Sequence, residues 1–346
     1  MRFKEQDGPR TEKPILARAL DWVKEGRTVA LATVLQTWGS APAPAGSQLA
    51  IDGEGNFAGS VSGGCVEGAV IAEAAEAMAS AKPKTLQFSV AEETAWAVGL
   101  ACGGTIRIFV EPLVPGHNLD VLAELANTVS GRKSAALVTD LASGTHSLAH
   151  EASDVRPELR PALHEAFSRN KSAVVEGKHG DVLINVFCPP VRLVVVGAVH
   201  VAQALVKMAR MLGYEVVVVD PRSAFATKER FGDVAIREEW PGDVMPELGI
   251  DTHTAIVTLS QESRIDEPAL IRALKSDAFY VGAMGSKKTH ADRVARLAGA
   301  GVAPEDIARI HAPIGLDIGA TGPAEIALSI IAEITAAQRG KDRGRA

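Results

Sequence analysis

Cys65 and Cys102 are the residues best suited to chemistry, because each adjoins a Gly-Gly pair, in Ser62-Gly63-Gly64-Cys65 and in Cys102-Gly103-Gly104. Paired glycines let backbone come close to a ligand and turn amide hydrogens into a concavity that favours anions. The alanine-rich run after Cys65, to about Ala81, is a strong helix former. The Cys65 thiol therefore sits at or near a helix N-terminus, whose field favours the thiolate, the form that binds soft metals or accepts sulfur. The plainer reading of either cysteine is a small buried residue in a tight turn. Glu67 is close enough to Cys65 to serve as acid or base, although a carboxylate in a first helical turn commonly only faces the helix dipole. Cys188, beside Pro189-Pro190, reads as structural.

A second constellation begins at Arg192. Residues 192–196 expect a buried parallel strand, Gly197-Ala198-Val199-His200 a tight turn, 201–212 a helix ended by Gly213, and 215–220 a second strand. The strand ends on Asp220, 23 residues beyond Gly197, close to the spacing at which dinucleotide folds place a ribose-binding acid. The glycine fingerprint is incomplete, since Val199 and Ala202 take its second and third positions, and a Cβ at 199 obstructs close approach to a pyrophosphate. Fold and ligand are separate claims, and the pattern argues for a Rossmann fold more than for ordinary NAD(P) binding. Arg222 can pair with Asp220 or meet a phosphate, the ion pair being the plainer reading. Gly282-Ala283-Met284-Gly285-Ser286-Lys287-Lys288 lacks P-loop spacing, but a capping serine and two lysines at a helix start either hold an anion or are simply solvated. A loop over 314–320 precedes Gly322-Pro323, which opens the last helix.

The elements that must carry these loops follow from periodicity. The first half expects helices over 14–26, 65–81, 119–129 and 157–168, with strands near 28–35, 48–51, 56–59, 85–90, 105–112, 134–141, 172–176 and 181–187. After Cys188-Pro189-Pro190 a βαβ alternation starts, with strands near 234–237, 254–259 and 278–281 and a helix near 268–274. The fold class is thus α/β: an α+β domain over 1–190 carrying the cysteine loops, a Rossmann-type parallel-sheet domain over 191–338, and a basic tail over 339–346. The 346 residues suit two domains, and a net charge of -6 gives no broad cationic surface for nucleic acid or anionic membrane. Without a long apolar run or a signal-like start, the chain is expected in the cytoplasm. Its 3 cysteines form no Cys-x-x-Cys pair, which argues against disulfides and a zinc ribbon.

Several strings resemble the xanthine dehydrogenase accessory protein family, XdhC/CoxI. In the first half these are Thr37-Trp38-Gly39-Ser40-Ala41-Pro42, Ser60-Val61-Ser62-Gly63-Gly64-Cys65-Val66-Glu67-Gly68 and Leu100-Ala101-Cys102-Gly103-Gly104. In the second they are His200-Val201-Ala202-Gln203, Val219-Asp220-Pro221-Arg222, Tyr280-Val281-Gly282-Ala283-Met284-Gly285-Ser286 and Pro313-Ile314-Gly315-Leu316-Asp317-Ile318-Gly319. The chain departs from the family's usual residues at Ala43, Val199 and Ser260-Gln261-Glu262.

The resemblance implies a non-catalytic chaperone. It would bind molybdenum cofactor, as molybdopterin or its dinucleotide, protect it while a cysteine desulfurase replaces an oxo ligand by sulfido, and deliver it to a molybdenum hydroxylase apoenzyme such as xanthine dehydrogenase. It further implies a homodimer. Cofactor contacts are then expected from Ser62, Gly63, Gly64, Cys65, Cys102, Gly103, Gly104, Gly197, His200, Gln203, Asp220, Arg222, Gly282, Gly285, Ser286 and Asp317. Cys65 and Cys102 become candidate molybdenum ligands or, with Glu67, sulfur handlers. Two other functions compete. An NAD(P)-dependent oxidoreductase would use the βαβ unit and Asp220, but neither Tyr214 nor Tyr280 has the lysine four residues on that a familiar proton relay needs. A nucleotide-sensing assembly adaptor would leave both thiols idle.

Overall fold

The computed structural model describes residues 14–38, 43–89, 104–115, 118–177 and 180–340. These divide into two compact units, one ending at Pro189 and one beginning at Pro190. The first contains helices α1 (Ile15–Lys24), α2 (Glu67–Ser80), α3 (Leu119–Ser130) and α4 (Arg160–Arg169). Its strands are β1 (Val29–Trp38), β2 (Gln48–Asp52), β3 (Phe57–Gly59), β4 (Lys84–Ser89), β5 (Thr105–Pro112), β6 (Ala135–Asp140), β7 (His146–Ala149), β8 (Ala173–Val175) and β9 (Val182–Phe187). They form two antiparallel sheets, β3-β2-β1-β5-β4 and β7-β6-β9-β8.

The apolar run of β1 is explained by burial on both faces. Ala30, Ala32 and Val34 pack with Val70, Ala74 and Ala77 of α2, whereas Val29 and Leu31 pack with Leu16 and Leu20 of α1 and Leu122 and Leu125 of α3. Such strands lose the simple apolar–polar alternation because each side chain meets a covered face. The short strand β7 escapes periodicity: only four residues long, it has just His146 and Ala149 buried.

The second unit is a six-stranded parallel sheet built from β10 (Arg192–Val196), β11 (Glu215–Val219), β12 (Ala235–Arg237), β13 (Thr254–Thr258), β14 (Tyr280–Ala283) and β15 (Ile310–His311). The order β12-β11-β10-β13-β14-β15 is that of a doubly wound Rossmann sheet, with its reversal between β10 and β13. Its longer helices are α5 (His200–Met211), α6 (Ser263–Leu274), α7 (Lys287–Gly299) and α8 (Pro323–Gln338). Leu193 and Val195 face α5 and α8, while Val194 and Val196 face α6 and α7. The valine runs that spelled parallel strands in the sequence are therefore buried on both sides, each side chain contributing about 1.5–3 kcal/mol.

Helix α6 begins at Ser263, five residues before the start expected at Pro268. Glu262 nucleates it, its carbonyl accepting the amides of Ile265 at 3.0 Å and Asp266 at 2.8 Å, and the helix runs on through Pro268.

Candidate functional site

In the first unit the candidate site is the loop 60–66 ahead of α2. Glu67, the first residue of that helix, turns its carboxylate back over the loop. Oε1 accepts Ser60 Oγ at 2.6 Å, the Val61 amide at 3.2 Å and the Ser62 amide at 2.9 Å, and Oε2 accepts the Ser62 hydroxyl and, at 2.9 Å, the Gly64 amide. The Gly63 amide goes to Ser60 Oγ at 2.8 Å. Burial opposes ionisation of Glu67, but the hydroxyls of Ser60 and Ser62 and the Ser62 amide outweigh it and bring its pKa down to about 2. At neutral pH the side chain is thus an anion, and it organises the loop.

This geometry alters the amide-lined pocket expected from the Gly63-Gly64 pair. The N–H groups of Ser62, Gly63 and Gly64 point to protein oxygens, because a carboxylate within reach competes for the same donors. The glycines serve the bend: φ is +73° at Gly63 and +110° at Gly64, and a Cβ on Gly64 would meet nothing within 4 Å. Cys65 follows, half-buried against the β1–α2 core, with Val66 as the helix cap between it and Glu67. Cys102 and Gly103 lie outside the described residues. Gly104 borders β5. Burial pushes the Cys188 thiol up, away from the thiolate form.

In the second unit Gly197, Asp220, Arg222, Gly285, Ser286 and Asp317 sit in loops that follow the parallel strands, the edge at which α/β sheets bind ligands, while His200 and Gln203 lie in the first turn of α5 and Gly282 lies within β14. Gly197 ends β10 at φ +101°, and a Cβ there would lie 2.6 Å from the Ser260 amide nitrogen, so only glycine lets the loops after β10 and β13 touch. Val199 caps α5 with ordinary extended backbone, followed by exposed His200 and half-buried Gln203.

Asp220 is fully buried at the end of β11. It accepts the Ala198 amide at 2.7 Å, the Arg222 amide at 2.9 Å, Arg222 Nε at 2.9 Å and Arg222 Nη2 at 2.7 Å. Burial raises its pKa, but the Arg222 bonds prevail and hold it below the ordinary carboxylate value. The residue placed for a ribose is therefore saturated by its own loop, and Arg222 makes the ion pair instead of waiting for a phosphate. The guanidinium also stacks on Phe225, 4.4 Å from the ring centroid.

Gly282 is a packing position, where a Cβ would strike Ile314 at 2.5 Å and Tyr280 at 2.8 Å. Gly285, at φ +139°, makes the turn into α7, and Ser286 caps that helix by accepting the Thr289 amide at 3.1 Å. Asp317 is exposed in the loop before α8.

Two further buried carboxylates, unnoticed in the sequence, repeat the arrangement. Asp266 accepts the Ser260 hydroxyl at 2.6 Å and the Gln261 amide at 2.9 Å, and burial raises its pKa despite those bonds and the charge of nearby Arg293. Glu333 accepts Tyr280 Oη at 2.7 Å, His311 Nδ1 at 2.8 Å and the Gly315 amide; burial opposes its ionisation, but these donors lower its pKa. Asp220, Asp266 and Glu333 thus tie down the loops after β10, β13 and β15. A sequence signal existed for Glu333, a lone acid in the apolar run Ile330-Ile331-Ala332-Glu333-Ile334. Asp266 gave none, because it looks like any acid in a first helical turn.

Residues 193–334 match the XdhC Rossmann domain and residues 22–89 match the XdhC and CoxI family. The chain is 28% identical over 323 residues to the molybdenum cofactor insertion chaperone PaoD of Escherichia coli, spanning 93% of this chain and 87% of that protein. It is 26% identical over 312 residues to a Bacillus subtilis protein named as a probable xanthine dehydrogenase subunit, spanning 88% and 91%. A crystal structure from Bacillus halodurans, described as a xanthine dehydrogenase, shares the fold at a TM-score of 0.75 and 22% identity, covering 96% of this chain and 98% of that one.

Proposed function

Because the chain belongs to the XdhC and CoxI family, we propose that it is an accessory chaperone that binds molybdenum cofactor, shields it during sulfuration and assists its insertion into a molybdenum hydroxylase. The observation that carries this reading is the similarity, over 93% of the chain, to a relative named as a molybdenum cofactor insertion chaperone. Cys65 supports it chemically. Its side chain is half-buried on a loop braced by an ionised carboxylate, and sulfur is a soft donor suited to molybdenum or to a sulfur-bearing intermediate.

In this reading Ser62, Gly63, Gly64 and Glu67 hold Cys65 in place, and Cys102, beside Gly103 and Gly104 in the sequence, supplies the second thiol. The strand-end loops of the Rossmann unit, with Gly197, Gly285, Ser286 and Asp317, and the first turn of α5, with His200 and Gln203, receive the pterin or nucleotide portion of the cargo. A cysteine desulfurase and the hydroxylase apoenzyme are the partners, the working form is a homodimer, and the location is the cytoplasm. Among the described residues no helix is long and apolar enough to cross a membrane.

The test is to purify the full chain from a host that makes molybdopterin and to oxidise released pterin to its fluorescent form. Pterin is expected with wild type and strongly reduced with Cys65→Ala. Repeated absence of pterin, together with no binding of added cofactor, would overturn the reading.

The 3-2-1-4-5-6 strand order favours a second reading, an NAD(P)-dependent oxidoreductase. Against it stands Asp220, whose oxygens already serve Ala198 and Arg222. A calorimetric titration with NAD, NADH and their phosphorylated forms is expected to be silent, and tight binding of any one would revive it.

A further inference from the structure

Strand β15 ends the sheet on the side away from β12, and a buried carboxylate holds the imidazole of its last residue, His311. Two contacts fix the ring, and a third anchors its stacking partner. Its Nδ1 lies 2.8 Å from Glu333 Oε1, its plane stacks on Tyr280 with centroids 4.5 Å apart, and Tyr280 is itself anchored to Glu333 at 2.7 Å. Glu333 is 2% exposed and ionised, hence an acceptor only, so the hydrogen of this bond resides on His311 Nδ1. That leaves Nε2 as the outward atom of a side chain one-third exposed. A carboxylate that fixes the tautomer and orientation of a histidine is the arrangement used wherever the other ring nitrogen must meet a ligand.

Structural duty alone explains this poorly. Gly315 and Tyr280 already satisfy Glu333 Oε2. A buried apolar residue at 311 would cover Tyr280 without bringing a titratable ring to the surface. The position also matters. His311 stands at the carboxyl end of the sheet, three strands from Gly197, or about 14 Å at the usual strand spacing. An extended ligand lying across these loops would reach both.

We propose that His311 is a ligand-contacting residue of the Rossmann unit, its Nε2 accepting a hydrogen bond from a polarised N–H or O–H of the cargo. The chemistry it selects is a heterocyclic amide or amine N–H, as on a pterin ring, or a sugar hydroxyl; a fully deprotonated phosphate offers no hydrogen and is disfavoured. Glu333 and Tyr280 are positioning residues. The identity of the cargo rests on the chaperone reading above, whereas the tautomer of His311 does not.

Two measurements on the full chain test this. The first compares pterin released after oxidation from wild type, His311→Asn and His311→Gln. Asparagine keeps a donor near Nδ1 for Glu333 but has no atom at Nε2, and glutamine puts a carbonyl oxygen near Nε2. With the melting temperature of His311→Asn unchanged, its bound pterin is expected to fall about tenfold, the scale of one lost buried hydrogen bond, and His311→Gln should retain most of it. Equal pterin in wild type and His311→Asn would overturn the proposal. The second records long-range proton–nitrogen correlations of protein labelled with nitrogen-15 histidine. Nδ1–H with a bare Nε2 is expected, and a ring protonated at Nε2 would overturn the proposal whatever the pterin result. If wild type neither holds pterin nor binds added cofactor, the chaperone reading fails by itself, and a ring protonated at Nε2 in the nitrogen spectrum would still overturn the proposal for His311.

Discussion

Burying a carboxylate costs several kcal/mol unless donors replace its water, and Glu67 shows how completely a short loop can supply them. Five donors from Ser60, Val61, Ser62 and Gly64 converge on two oxygens. Because the folded pKa, about 2, lies below the ordinary value of 4.5, the stabilisation is complete above pH 4.5 and is lost as pH falls towards 2. It amounts to about 3 kcal/mol at neutral pH. Glu67→Gln should therefore lower the denaturation free energy of this unit by roughly that amount at pH 7, and the gap to wild type should shrink steadily between pH 4.5 and 2 in acid denaturation series. A gap independent of pH would mean that the carboxylate charge contributes nothing. The same variant should raise the reactivity of Cys65 towards a thiol reagent, since the loop that holds it loosens.

At the scale of elements, the second unit illustrates what patterning conveys and what it leaves out. The valine runs of β10 and β11, the turn at Gly197 and the acid at Asp220 were legible because parallel strands buried on both faces tolerate little else. The boundary of α6 was not, since its early start depends on the Glu262 carbonyl and on Asp266 reaching back to Ser260 and Gln261, contacts that no local propensity encodes. The ligand side was the least legible. Sequence spacing put Asp220 where a ribose binds, but the loop folds Arg222 back onto it with two nitrogens and an amide. Likewise Glu333 and His311 lie 22 residues apart and meet through the sheet edge. Gly197 provides a direct test of this layer. Gly197→Ala combines a disfavoured φ of +101° with a Cβ 2.6 Å from backbone, and should cost about 2 kcal/mol or more of stability in calorimetry. A melt indistinguishable from wild type would show that the loops after β10 and β13 are free to separate.

For the whole molecule, the decisive property is that each unit owns substantial buried clusters. The second unit fills one face of its sheet from Leu193, Val195, Leu205, Val257, Ile330 and Ile334 and the other from Val194, Ile256, Leu270, Val281 and Leu297. The first builds its own around Val34, Ile51 and Ile108, around Leu31, Leu122 and Leu137, and around Leu163 and Ile184. A domain of about 150 residues buries enough surface on folding to be stable alone, and the second unit, from Pro190, is of that size. Expressed separately, residues 190–346 should fold cooperatively, with helical far-ultraviolet dichroism and one sharp thermal transition. They should also keep the nitrogen signature expected for His311, because Glu333 and Tyr280, which orient that ring, belong to the same unit. The fragment lacks Cys65 and Cys102, so if both thiols hold the cargo it should carry far less pterin than the full chain. A fragment that melts without cooperativity would show that its core is incomplete. One that folds and retains full pterin would move cargo binding entirely to the Rossmann unit and remove the thiols from the function.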